Sequence, residues 1–289
     1  MKILYADDTY AKASKEDSQP TIHLFGGVVV DRRTETDIIN CIRLVKSKYA
    51  HPNLPVKWNF KDTSIKNKFS QFGGDDEYRK MLAASREWRL EIFRQVSSLN
   101  YSVIVACIKS VTADKAVLKK VRENLTGYCF ENVLMRIGID AKTEGGYWQC
   151  VLDWPPDGDS KPYDQGYYRL YHSSKASSPK PSICGPLGKL GFSHSLHFTR
   201  CNHSPMMQFA DLVLGATKDH IECQLQARGS CVGTEAVNLF YDHFRNLNGE
   251  IPKYGVIAST GSASLSSEIG KIFKKKAATR FTRPKLASQ

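Results

Sequence analysis

No stretch of this chain approaches the ~18 consecutive apolar residues of a membrane-spanning helix, so a membrane role is the weaker expectation. Cys-x-x-Cys is absent, which removes the usual half-site of a structural zinc centre. The eight cysteines lie apart and read as reduced, mostly buried thiols of a cytoplasmic protein, although the sequence is also compatible with one disulfide. The first apolar stretch, Ile3 to Ala6, is stopped at once by Asp7 and Asp8, too short for a signal-peptide core. There is no internal repeat. Acidic residues are in short supply, 29 against 41 Lys and Arg, for a net charge of +12. That balance favours a polyanionic partner, and nucleic acid is the first choice.

The 289 residues, 41% hydrophobic and 24% charged, can bury a substantial core. Residues 2–8 read as a strand. Thr21 to Phe25 runs through Gly26-Gly27 into Val28-Val29-Val30 as a second. Ile38, Ile39, Ile42 and Val45 recur at helical spacing. Helices are further expected over 77–99 and 114–139, and strands over 101–108, 147–153 and 192–198. Ser204-Pro205 has the form of a helix start, with serine at the cap and proline at the first helical position. Residues 155–190, rich in Ser and Pro, read as an irregular insertion. Strands alternating with long helices imply an α/β fold around one mixed sheet. It forms a single domain over 1–260, followed by a basic tail over 261–289.

The few acids there are occupy informative places. Asp7, followed by Asp8, ends the first strand. Asp62 follows the compact segment Val56-Lys57-Trp58-Asn59-Phe60-Lys61. Asp153 ends Val151-Leu152-Asp153. Asp211 interrupts the apolar helical run Phe209-Ala210-Asp211-Leu212-Val213-Leu214, two turns inside its helix, where the helix dipole gives little support. Aspartate also terminates strands and starts turns, and Asp211 has Lys218 as an ordinary partner. Convergence of these carboxylates would instead make a site for a hard divalent cation, Mg2+ or Mn2+.

The opening Tyr5-Ala6-Asp7-Asp8-Thr9, the triple-valine strand, Val56-Lys57-Trp58-Asn59, Val151-Leu152-Asp153 and Gln208-Phe209-Ala210-Asp211-Leu212 together resemble a ribonuclease-H-like family. It is catalogued mainly as a domain of unknown function and is common in bacterial and mobile-element genomes. The resemblance spans about residues 2–217. It implies a ribonuclease-H-like fold and two-metal phosphodiester cleavage, with Asp7 bridging the metals and Asp153 and Asp211 completing the shell. Asp8 and Asp62 are further ligand candidates. Lys57 is expected at the scissile phosphate or paired with a carboxylate. A role in phage defence, with or without a protein partner or oligomer, is a further implication. The chain departs from the family pattern in two places. Asp8 stands where a glutamate is usual, and Pro55 or Val56 where an acid often precedes the lysine. Asp62 is the one residue placed to replace it. Without it the site would have three carboxylates and be weak or inactive; the same departure favours the alternative of a nucleic-acid- or partner-binding protein with a degenerate site.

Other groupings carry less. His194, His197, Cys201 and His203 offer zinc-type ligands, but a strand through 192–198 would turn the first two to opposite faces. Asp7-Asp8 lacks the Asp-x-Asp spacing of an aspartyl-phosphatase. Lys274, Lys275 and Lys276, with Arg280, Arg283 and Lys285 around Phe273 and Phe281, can track a phosphate backbone or be a solvated tail. Tyr163, Tyr167, Tyr168 and Tyr171 are either a core helix or a base-stacking surface.

Overall fold

The computed structural model describes residues 1–17, 21–109, 115–155, 158–172, 184–246, 250–259 and 263–274. Six strands among them form one mixed sheet: β1 (Lys2–Ala11), β2 (Ile22–Asp31), β3 (Tyr101–Lys109), β4 (Trp148–Asp153), β5 (His197–Thr199) and β6 (Val256–Ala258). Their order across the sheet is β5-β4-β1-β2-β3-β6. β1, β2 and β3 form an antiparallel meander, while β4 runs parallel to β1, and β5 parallel to β4. The parallel pairs need crossovers. The long α5 (Lys115–Glu144) leads from β3 to β4, and α6 (Lys161–His172) lies between β4 and β5.

Alternation along the central strands creates two cores. Ile3, Tyr5, Val28, Val30, Val103 and Val105 face one side. There they meet α1 (Arg32–Lys46), α4 (Ser85–Val96), α7 (Pro205–Leu225), α8 (Val232–Phe240) and α9 (Ala263–Ile272). Leu4, Ala6, Phe25, Ile104, Ala106 and Leu152 face the other side, toward Phe130, Val133, Leu134 and Ile137 of α5 and Tyr163, Tyr167 and Leu170 of α6. The result is an α/β fold with a mixed sheet between helical layers, consistent with a ribonuclease-H-like architecture.

Some expected boundaries shift. The single helix over 77–99 is two, α3 (Asp75–Ala83) and α4, broken at Ala84. The Trp88 indole N–H donates to the Met81 carbonyl at 2.9 Å, satisfying a group the break exposes. α6 occupies part of the span expected to be irregular, because Tyr163, Tyr167 and Leu170 bury at helical spacing. The Ser- and Pro-rich residues 173–183 lie outside the described residues. Strand pairing in 192–198 is confined to β5 and one bridge from Phe192 to Trp148. The domain also extends past 260, since Leu265, Ile269 and Phe273 of the α9 segment pack into the core. Lys274 is exposed; Lys275, Lys276, Arg280, Phe281, Arg283 and Lys285 lie outside the described residues.

Gly27, in the middle of β2, approaches β1 so closely that a Cβ there would stand 2.0 Å from the Tyr5 carbonyl oxygen. Backbone cannot give way as a flexible side chain does, so Gly27→Ala should destabilise the fold by about 1–3 kcal/mol. A thermal melt of the variant unchanged from the parent would contradict that strand spacing.

Candidate functional site

The parallel register of β1 and β4 runs from Lys2 opposite Trp148 to Ala6 opposite Leu152. One further step sets Asp7 beside Asp153, on strands ~4.8 Å apart. Alternation then decides which way each points. Asp7 follows Ile3 and Tyr5 toward α7, and Asp153 follows Val151 to the same face. Asp8 turns to the opposite face with Leu4 and Ala6, where the Tyr163 hydroxyl of α6 donates to its Oδ1 at 3.4 Å. Two strand ends thus put carboxylates under a helix that supplies a third, Asp211.

One face of α7 explains why Asp211 tolerates its apolar helix. Gln208, Asp211, Gly215 and Asp219 follow one another at three- and four-residue spacing, and each serves the irregular segment over 55–60. Gln208, only 2% exposed, accepts from the Val56 N–H at 3.3 Å and donates through Nε2 to the Cys201 carbonyl at 3.2 Å. Asp211 Oδ2 accepts from the Trp58 N–H at 2.6 Å. Asp219 Oδ2 accepts from the Trp58 indole N–H at 2.7 Å. A Cβ on Gly215 would lie 2.3 Å from the Trp58 side chain, so only glycine admits the indole there. Arg89 closes the far side, its guanidinium 4.9 Å from the Trp58 ring centroid. Clamped in this way, Val56 and Trp58 hold Lys57 between them toward the carboxylates.

The electrostatics agree with this placement. Burial pushes the Asp7 pKa well above the ordinary carboxylate value, and the charges of Asp153, Asp211 and Asp8 push it further. Asp211 is raised to about 6, again by burial first; the Trp58 N–H and Lys57 oppose, and Asp153 adds to the rise. Asp8 is also raised to about 6 by burial, against the Tyr163 hydrogen bond. Asp153 rises less, because the Cys201 N–H, 2.7 Å from its Oδ1, and Lys57 hold its charged form. For Lys57, burial disfavours the charge, but Cys201, Asp211, Asp7 and Asp153 outweigh it and the pKa is raised. Each of these carboxylates keeps part of its surface open to solvent, as a ligand site must.

Asp7, Asp153 and Asp211 are alike in one further respect: one oxygen accepts from a backbone N–H, of Asp8, Cys201 and Trp58 respectively, which leaves the other for a ligand. An all-oxygen set of mutually repelling carboxylates fits a hard divalent cation in donor chemistry. It is not a closed cage: among the described residues no three His, Cys, Asp or Glu side chains are grouped so as to hold a metal ion as they stand. The same holds for the His194, His197, Cys201 and His203 grouping, of which His197 and His203 are exposed and His194 packs against Tyr171.

Asp62 has a different job from the other carboxylates. It caps the helix α2 (Thr63–Gln71), accepting from the Ser64 N–H at 2.8 Å, and the charged side chain acting on it is Lys57. Lys218 pairs with Asp219 and Glu222, not with Asp211. Of the four tyrosines, Tyr163 and Tyr167 are buried in α6 and Tyr168 is exposed. Three contributors carried no sequence signal of their own. They are the backbone amides of Trp58 and Cys201, and Lys46, which is buried beside Gln208 with its pKa pulled down to about 7 by desolvation. No helix among the described residues is long and apolar enough to cross a membrane. No family model, curated protein or solved structure matches this chain.

A carboxyl whose pKa is higher in the folded than in the unfolded state takes up its proton first in the folded state. Asp8 and Asp211, at about 6, therefore add stability that is fully present below the ordinary value of about 4 and is lost as pH rises through 6. His220, buried with its pKa pushed down to about 4, works in the opposite direction, so a difference between variants isolates the site. In EDTA at pH 8, Asp7→Asn should raise the melting temperature by a few degrees, because it keeps the bond from Asp8 and removes a repelled charge. The gain should shrink toward pH 5. A loss of stability at pH 8 would show that the carboxylates are not in conflict.

Proposed function

We propose that this chain is a metal-dependent nuclease that hydrolyses phosphodiester bonds on a ribonuclease-H-like framework. The observation that carries the reading is the pairing of Asp7 and Asp153 on neighbouring parallel strands, on the face that α7 and its Asp211 cover. Mg2+ or Mn2+ bound by these three carboxylates, with Asp8 turned to the opposite face of the sheet, would lower the pKa of an attacking water and neutralise charge on the scissile phosphate. The chain's own contribution is positional. Backbone amides fix one oxygen of each carboxylate, so the free oxygens need no reorganisation when a ligand arrives. Lys57 is in no ion pair with a described residue and keeps its charge, which suits it to a non-bridging phosphate oxygen. The net charge of +12 would draw a nucleic acid to the surface and make binding fall steeply with salt.

A second reading is favoured by specific observations of its own. No acid precedes Lys57, Asp62 is engaged as a helix cap, and the carboxylates form no ready-made cage. A nucleic-acid- or partner-binding protein with a degenerate site would look like this. The two readings separate in one experiment. With mixed DNA and RNA and Mn2+ or Mg2+, the nuclease should give cleavage that EDTA stops and that Asp153→Asn reduces to background. Asp211→Asn should bind nucleic acid at least as well as the parent while losing cleavage, since it removes a negative charge beside the substrate. Nucleic-acid binding without any metal-dependent cleavage would leave the binding protein as the better description.

A further inference from the structure

The chain leaves Asp153 through Trp154 and Pro155 along one wall of a cleft of about 190 Å3, which Lys57, Arg200 and Asn202 also line. The volume is below the ~300–1,000 Å3 of a drug-sized pocket and suits a single planar group. Trp154 is 49% exposed, whereas Trp58, Trp88 and Trp148 are at 9% or less. Its exposure is held in place. Pro155 restricts Trp154 to extended backbone, its N–H donates to the Thr199 carbonyl at 3.0 Å, and the Phe198 ring meets it edge-on at 6.1 Å. A large apolar ring fixed open to solvent next to a carboxylate is not explained by packing. Asn202 adds an independent sign of a ligand: its side-chain oxygen is buried without a hydrogen-bond partner among the described residues, which costs free energy until a donor arrives. Arg200 is exposed and makes no ion pair with a described residue.

We infer that nucleic acid enters this cleft as a single strand, with one unpaired base stacked on Trp154, its edge donating to Asn202, and its flanking phosphate held by Arg200 and Lys57. The inference deepens the reading of the chain as a nucleic-acid protein and rests on it. A base inside a duplex already stacks on both faces and cannot reach the indole without being unpaired. A single strand offers its bases freely, and an aromatic platform flanked by cations is how such strands are gripped without regard to sequence. The stiff Trp-Pro backbone keeps the ordering cost of that contact low.

The other three tryptophans are shielded, so the protein carries its own reporter. The full chain in EDTA is titrated with a labelled single-stranded oligonucleotide, a hairpin duplex closed by a non-nucleotide linker, and polyphosphate, while anisotropy and tryptophan emission are followed. The single strand should quench the emission, and the hairpin and polyphosphate should bind at low salt without quenching. Trp154→Leu should abolish the quench and weaken single-strand binding about ten- to hundredfold, and Trp154→Phe should retain most of the affinity. Equal single-strand affinity in Trp154→Leu, or equal quenching by the hairpin, would overturn the inference. Quenching with no cleavage once Mn2+ is added supports the stacking site and removes the hydrolytic reading. Cleavage with no quenching removes the stacking site and spares the nuclease.

Discussion

Gln208 and Asp211 receive hydrogen bonds from the Val56 and Trp58 amides, and the position of everything else at the site follows from these two contacts. The segment over 55–60 has no regular structure of its own, so its backbone groups must find partners outside a helix or strand. α7 provides them from a single face, and Gly215 leaves the room that lets the segment lie flat against the helix. Lys57 is consequently held between two anchored neighbours. Cys201, whose carbonyl takes the Gln208 amide and whose own N–H is bound by Asp153, joins the end of β4 to the same helix. One helix face therefore sets the positions of a lysine, a strand end and a carboxylate together.

That arrangement runs against the stability of the protein. Asp7, Asp8, Asp153 and Asp211 are partly desolvated and repel one another, and the nearby Lys57, Arg89 and Arg200 do not balance them. Backbone amides soften the conflict by stabilising the charged forms of three of the four. A fold selected for stability alone would place apolar residues at these positions, as the sheet does one residue earlier at Ala6 and Leu152. Unfavourable charge kept in an otherwise well-packed α/β core is what the proposed function accounts for.

Much of this was legible in the sequence because it depends on local periodicity. The apolar run Ile3 to Ala6, the β-branched run Val28 to Val30, and the Ser204-Pro205 start each specify an element from nearby residues alone. The acids were legible too, since a charge at a strand end or inside an apolar helix conflicts with its surroundings. Asp62 could not be judged in the same way. A carboxylate that caps a helix and one that binds a ligand have the same neighbours in sequence, and the Ser64 N–H decides between them only once α2 has formed. The break at Ala84 was hidden because helical periodicity continues across it on both sides. α6 was obscured by the Ser- and Pro-rich composition that follows it. The amides of Trp58 and Cys201 had no sequence signature at all, because every residue except proline has a backbone N–H.

The parallel pairing of β1 with β4 has a consequence for the order of assembly. Asp7 leaves the ribosome before Asp153, and Asp153 before Asp211. The meander of β1, β2 and β3 can form from local hairpin contacts, but the strand that seats Asp153 and the helix that seats Asp211 must still be synthesised. A chain that stops short of α7 does not hold all the carboxylates together. Any chemistry of the proposed site is thereby withheld until α7 has been made, and a product truncated before α7 would have the sheet without the full set of carboxylates.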